Sequence, residues 1–235
     1  MSLGLTPEAQ GKLALLGDFL LEAGFNVTGI RDPGEIEEKH FLDSLSLLQL
    51  PVVREAYTLV DIGSGGGLPG LVLALALPSL QVTALEAQRK KCEYISRAAA
   101  ALGLSNVQVC WARAEDFGRA TRRGREWRSG GEGREKYDLA TSRAVASLPV
   151  VAEYSLPLLK VGGTMVAMKG QISDQEWRQA ETALAILGAG KLTAVQLESF
   201  PGAHNRWVYL ATKVEATPDA YPRRAGVPAK RPLGG

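Results

Sequence analysis

The feature that most constrains this chain is V-D-I-G-S-G-G-G-L-P-G at 60–70, set between a strand-like run at 57–62 and a helix-like run at 69–77. Gly63, Gly65 and Gly67 permit a tight turn and let a ligand approach the backbone closely. The helix that follows opens with unpaired N–H groups. Strand, glycine turn and helix in this order predict a nucleotide-binding α/β unit.

The rest of the chain keeps that rhythm. Apolar runs at 57–62, 81–86, 106–112, 137–142 and 163–170 predict strands, and 69–77, 88–103, 148–159 and 174–188 predict helices. Runs at 192–199 and 206–213, six turn-like residues apart, predict a hairpin. Alternation of this kind gives an α/β class: a mostly parallel seven-stranded sheet with a C-terminal antiparallel hairpin strand. Residues 1–54 precede it as a small helical lobe, with helices at 6–23 and 35–50. The main domain is expected over 55–213. Two segments break the rhythm: a basic Gly/Arg-rich insertion at 118–136 and a basic Pro/Gly-rich tail at 214–235. Both compositions predict mobility.

Composition excludes several classes. The 46% apolar content rules out a disordered chain. Two cysteines, Cys92 and Cys110, and two histidines leave neither a disulfide scaffold nor a metal site. The longest apolar stretch, 68–80, is broken by Pro69 and Pro78, so no membrane span is expected. The first residues lack a basic-then-apolar leader, so a cytoplasmic protein is expected, with a monomer as the default state. The net charge of +2 conceals polarity: residues 1–58 carry 4 basic and 9 acidic side chains, 118–136 carry 7 and 3, and 219–235 carry 4 and 1. Such asymmetry points to a polyanionic partner.

Gly65 to Gly70 also match the dinucleotide fingerprint G-x-G-x-x-G. Asp61 tilts the reading away from it. A carboxylate there repels a pyrophosphate and attracts the amino group of S-adenosylmethionine. Glu86 ends the second strand where it can reach a ribose diol in either case. Arg113-Ala114-Glu115-Asp116 follow the third strand at the same sheet edge, where an adenine would lie. Arg143 follows the fourth strand, Lys169 closes the fifth, and His204-Asn205-Arg206 sit in the hairpin. Arg143, Lys169 and Arg206 read as groups that position a base or phosphate. His40 and Asp43, three apart on a helix, share a side, with His40 read as a surface or half-buried side chain. The helix at 88–103 presents a basic face of Arg89, Lys90, Lys91 and Arg97. An NAD(P)-dependent oxidoreductase and a non-enzymatic RNA-binding module with a nucleotide pocket stay open as alternatives.

Taken together, N-V-T-G-I (26–30), H-F-L-D-S-L (40–45), the 60–70 run, L-E-A-Q-R-K-K (85–91), R-A-E-D (113–116), T-S-R-A-V-A (141–146), M-K-G (168–170) and Y-P-R-R-A-G-V-P-A-K-R-P-L (221–233) resemble the RsmG (GidB) family. These are small-subunit ribosomal RNA guanine-N7 methyltransferases. The resemblance implies a class I (Rossmann-like) methyltransferase fold, S-adenosyl-L-methionine as cofactor, and 16S ribosomal RNA or the 30S ribosomal particle as substrate. It implies that Gly63, Gly65 and Leu68, with Asp61 and Ser64, line the methionine side. Glu86, with Ala87, would bind ribose, Ala114 and Glu115 would contact adenine, and Arg143 would lie in the active pocket as a further cofactor-binding residue, a cation near the cofactor carboxylate or the substrate. RNA phosphates would meet Arg119, Arg122, Arg123, Arg125, Arg223, Arg224, Lys230 and Arg231. The 118–136 stretch is longer than the family norm. Guanine N7 is a neutral lone pair, so no general base is needed, which agrees with a sequence in which no His/Asp or Cys/His pair stands out.

Overall fold

A computed structural model of the chain describes residues 5–25, 27–119, 121–123, 126–128, 131–198, 200, 203 and 205–235, with backbone alone at 121–123 and 126–128. Strands β1 (Thr58–Ile62), β2 (Gln81–Glu86), β3 (Val107–Trp111), β6 (Tyr137–Arg143), β7 (Leu159–Lys169), β8 (Thr193–Gln196) and β9 (Trp207–Thr212) form one sheet. A separate antiparallel pair, β4 (Thr121–Arg123) and β5 (Glu126–Arg128), lies in the Gly/Arg-rich insertion. The sheet order is β3-β2-β1-β6-β7-β9-β8. The first five strands of that order run parallel, and β9 enters antiparallel to both β7 and β8.

The chain leaves β1 toward β2 and β3, then returns to β6 on the other side of β1. That reversal opens a crevice at the carboxyl ends of β1 and β6, the place where open α/β sheets take ligands. The glycine loop leaves β1 there, and Arg143-Ala144 leave β6 there.

Apolar periodicity explains the packing. Helix α1 (Pro7–Glu22) starts on the Thr6 side chain, which accepts from the Ala9 N–H, and has Pro7 in its first turn. Its Leu13, Leu16 and Leu20 are buried against Leu68, Leu71 and Val72. Each fully buried leucine stabilises the fold by about 1.5–3 kcal/mol. Helix α5 (Gly70–Ala76) is apolar all round and buried through Leu75, as its central place requires. Helix α6 (Arg89–Ala101) completes this face, burying Tyr94, Ile95 and Ala98. Helices α8 (Leu148–Ser155) and α9 (Asp174–Leu187) cover the other. The N-terminal helices thus share a core with α5 and α6. No helix among the described residues is long and apolar enough to cross a membrane.

The helix expected at 35–50 is not uniform. It runs as an α-turn, α2 (Pro33–Ile36), a π-helical stretch Glu37–Leu42, another α-turn, α3 (Asp43–Leu45), and a 3-10 turn Ser46–Gln49. Helix α4 (Pro51–Arg54) follows. The extra residue of a π-turn shifts the face that later side chains present, and such turns are frequent at functional sites. A 3.6-residue period could not show it.

The tail at 214–235 corrects the expectation of mobility. Arg134, 5% exposed, donates to the carbonyls of Gly118, Thr217 and Tyr221. Thr217 donates its hydroxyl to the Leu187 carbonyl. Long-range polar anchors outweigh the local preference of Pro and Gly for loops.

Candidate active site

The glycine loop is held from below. Gly63 and Ser64 N–H both donate to the Leu85 carbonyl, at 2.8 and 3.2 Å. Asp61 is fully buried, and its paired neighbour across β6 is Thr141. The Thr141 hydroxyl donates to Asp61 Oδ1 at 3.0 Å, and the Ser64 hydroxyl and Gly70 N–H donate to Oδ2 at 2.5 and 3.1 Å. Burial pushes the Asp61 carboxyl above its ordinary range, and these three donors oppose the shift. A β-carbon on Gly70 would stand 2.8 Å from Asp61 Oδ2, so glycine is required for this approach. Gly67, at φ +85°, would carry a β-carbon 2.4 Å from Leu71 Cδ1.

This arrangement corrects the reading of Asp61 as a group that meets a cationic ligand. Its carboxylate points inward and braces the loop. Ser64 is likewise turned to Asp61 and buried. Leu68 sits in the apolar cluster with Leu71 and Val72. The loop therefore presents backbone, with Gly63 and Gly65 bare of side chains.

Glu86, 6% exposed, ends β2 under the loop. Its Oε2 accepts from Gly65 N–H at 3.0 Å and its Oε1 from Gln88 N–H at 2.8 Å. Each carboxylate oxygen keeps further lone-pair capacity for a diol. Ala87 beside it is exposed. Ala114 opens the short helix α7 (Ala114–Gly118) and is buried. Glu115, expected at an adenine, turns its carboxylate elsewhere: Oε1 accepts the Gly226 N–H at 2.8 Å, and the Tyr154 hydroxyl bonds to it. Burial, then the Glu115 charge, pushes Tyr154 up to about 12. The Glu115 carboxylate is thus spent within the fold, which leaves backbone groups at the start of α7.

On the other side of the loop stands a cluster that sequence spacing reached only in part. Asp43, 5% exposed, lies 3.7 Å from Arg143 Nη1 and 3.4 Å from Arg206 Nε. Arg143 also donates to the Lys39 carbonyl at 3.4 Å, and Arg206 lies over the Phe200 ring. Burial shifts the Arg143 guanidinium down from its ordinary value, while Asp43 and Asp61 counter it. A pocket of about 230 Å³ opens here, lined by Asp43, Arg143, Ala144, Lys169, Gly170 and Arg206 among others. Ala144 takes φ +54°, a strained value for a residue with a β-carbon and a mark of functional sites. A β-carbon on Gly63 would meet Val145 at 3.0 Å, so the glycine loop packs on the residue that follows Ala144. Lys169 lines the pocket but already donates to the Ala146 carbonyl at 2.8 Å and pairs with Glu176 at 3.3 Å. Asp43 had only the H-x-x-D spacing to signal it.

His40, three residues before Asp43 in the π-helical stretch, is buried rather than superficial. Its Nε2 lies 2.6 Å from the Thr28 hydroxyl and its Nδ1 3.1 Å from the Lys39 carbonyl. Burial, then the Arg143 charge, lowers its pKa from 6.5 to about 4. The unfolded chain therefore binds a proton between pH 6.5 and 4 that the folded chain does not, so stability is full above pH 6.5 and falls on acidification. We expect a loss on the order of 3 kcal/mol across that window. Urea unfolding at pH 7 and pH 4.5 measures it, and a His40→Asn variant should show a flatter profile.

The expected phosphate contacts divide. Arg224, Lys230 and Arg231 are exposed. Arg119 is partly exposed and pairs with Asp116 at 3.2 Å. Arg223 is a correction. Its guanidinium embraces Glu153, with Nε at 2.9 and 3.1 Å from the two oxygens and Nη2 at 2.5 Å from Oε2. Glu153 is fully buried, so the pair is structural. The side chains of Arg122 and Arg123, and all of Arg125 and His204, lie outside the described residues.

Solved structures share this fold. An S-adenosylmethionine-dependent methyltransferase from Aquifex aeolicus matches with a TM-score of 0.55 at 17% identity, over 78% of this chain and 94% of that one. The apo form of another, SibL, matches with a TM-score of 0.59 at 16% identity, over 89% of this chain and 70% of that one. The fold is that of the class I methyltransferases. Sequence comparison narrows the class. A family model described as rRNA small subunit methyltransferase G matches residues 12–202. The ribosomal RNA small subunit methyltransferase G of Rubrobacter xylanophilus is 43% identical over 95% of this chain and 85% of its own. That of Symbiobacterium thermophilum is 42% identical over 99% and 94%. The chain belongs to the rRNA small subunit methyltransferase G family.

Proposed function

We propose that this protein transfers the methyl group of S-adenosyl-L-methionine to N7 of a guanine in 16S ribosomal RNA. The observation that carries the reading is the Asp43–Arg143–Arg206 pocket at the end of β6, whose next residue but one, Val145, packs on the bare glycine loop at the sheet's switch point. Among the described residues it holds no histidine–carboxylate proton relay, since His40 is spent on Thr28 and Lys39.

The residues fit the cofactor. The loop exposes backbone because Ser64 turns inward, and Glu86 retains acceptor capacity beside it. Gly63, Gly65 and the backbone at Leu68 would hold the methionine part, Glu86 and Ala87 the ribose, and the backbone of Ala114 and Glu115 the adenine. Bound S-adenosylmethionine supplies an electrophilic methyl group. Guanine N7 presents its lone pair without losing a proton, so this chain's work is placement and exclusion of water. Arg143 and Arg206 suit the O6 and phosphate acceptors of a guanine nucleotide, because a guanidinium donates in a fixed fork.

Calorimetric titration tests the cofactor: S-adenosylmethionine should bind and NAD should not. Glu86→Ala should weaken binding roughly 10- to 100-fold, the value of a hydrogen bond to a charged group. Unchanged affinity would remove Glu86 from the ribose site.

A further inference from the structure

The basic face of α6 is not used by the pocket described above. Its first turn carries Arg89, Lys90 and Lys91 and no acidic residue. Cations at a helix N-terminus oppose the macrodipole and cost stability. Violations of a local rule of this kind concentrate where a surface has work to do. Beside them, at the carboxyl end of edge strand β3, Trp111 is 61% exposed. Its indole N–H donates to the Ala87 carbonyl at 3.1 Å, which fixes the ring in place. The Arg89 guanidinium lies 5.6 Å from the Trp111 ring centre, and Lys90 lies 4.3 Å from that of Phe25. Between them runs an open groove of about 870 Å³, also lined by Arg97 and Glu93. Glu93 pairs with Arg89 at 2.9 Å, so Lys90 and Arg97 give the groove a net positive charge.

We infer that this groove holds a single-stranded stretch of the substrate RNA, with an unpaired base stacked on Trp111 and neighbouring phosphates on Lys90 and Arg97. A fixed aromatic ring flanked by cations is the combination that binds single strands, because every base has a π-face and every nucleotide a phosphate. A duplex offers no free base to stack. Glu86 and Trp111 are paired in register at the ends of β2 and β3, while Arg143 and Lys169 end β6 and β7. The groove and the guanine pocket therefore occupy one edge of the sheet, on opposite sides of the glycine loop. The inference rests on the proposed RNA substrate.

Binding of protein-free 16S ribosomal RNA by wild type, Trp111→Ala, Trp111→Phe and Lys90→Ala/Arg97→Ala tests it, with S-adenosylmethionine affinity and melting temperature measured alongside. Trp111→Ala should weaken RNA binding roughly tenfold, and Trp111→Phe should largely restore it. The double variant should lower the slope of log affinity against log salt by about 2. Cofactor affinity and melting temperature should hold in the double variant, and cofactor affinity should be equal in Trp111→Ala and Trp111→Phe, which lose the same bond to the Ala87 carbonyl. RNA affinity equal to wild type in Trp111→Ala would overturn the inference. So would a loss seen only with 30S particles, which would assign the groove to a protein partner. If wild type itself binds no RNA, the proposed function fails instead.

Discussion

Arg223→Ala should destabilise the protein by about 3–5 kcal/mol, because it leaves the Glu153 carboxylate buried without its counter-ion. Glu153 is fully buried and accepts three side-chain bonds and one backbone bond from Arg223. Three go with the guanidinium, and the charge left behind cannot reach water. For a chain of this size such a loss lowers the melting temperature by roughly 10 °C. The same change anchors the tail less firmly, so Gly226 would release Glu115 and α7 would loosen. Arg224→Ala is the contrast: the side chain is exposed, and its removal should stay within about 0.5 kcal/mol. Denaturant unfolding of the two variants separates a structural arginine from a phosphate-facing one. Wild-type stability in Arg223→Ala with weakened RNA binding would return Arg223 to the RNA surface.

Asp61→Ala carries the second large effect. It removes the acceptor for the Ser64 and Thr141 hydroxyls and the Gly70 N–H in a site with no solvent. An unmet buried donor costs about 1–3 kcal/mol, and the hydroxyls can turn to other acceptors, so we expect a total of about 3 kcal/mol. The loss should appear in the cofactor-free protein, and S-adenosylmethionine affinity should fall with it as the loop relaxes. Asp61→Asn keeps the shape and one acceptor, so it should lose less on both counts. If Asp61 met the cofactor directly, the cofactor-free protein would melt like wild type and affinity alone would drop.

These residues also show where a sequence stops being legible. The seven strands and the closing hairpin follow from apolar runs and turn residues, which are local signals. The glycine loop is legible because only glycine suits its turns. The direction of Asp61 is not: β1 is buried on both faces from Leu59 to Ile62, so alternation carries no inside or outside. Arg223 lies in a Pro/Gly-rich basic run, and its partner is 70 residues away in α8. Composition reads such a run as a mobile tail because it does not see long-range pairs. Asp43 was half visible, through its spacing from His40. The π-turn that brings it to two arginines breaks the period on which helix reading depends. The Glu115 carboxylate matched a motif, yet the fold uses it to dock Gly226.

Mapping the methylated atom tests the central claim most directly. The protein is incubated with labelled S-adenosylmethionine and 16S ribosomal RNA from cells lacking its guanine-N7 methylation, both free and in 30S particles. Sites are then read by chain cleavage specific for N7-methylguanine. The account predicts one labelled guanine, methylated at N7, with labelling abolished in Arg143→Ala while cofactor still binds. Label on a ribose oxygen or an exocyclic amine, or no transfer to either RNA form by a protein that binds S-adenosylmethionine, would contradict it.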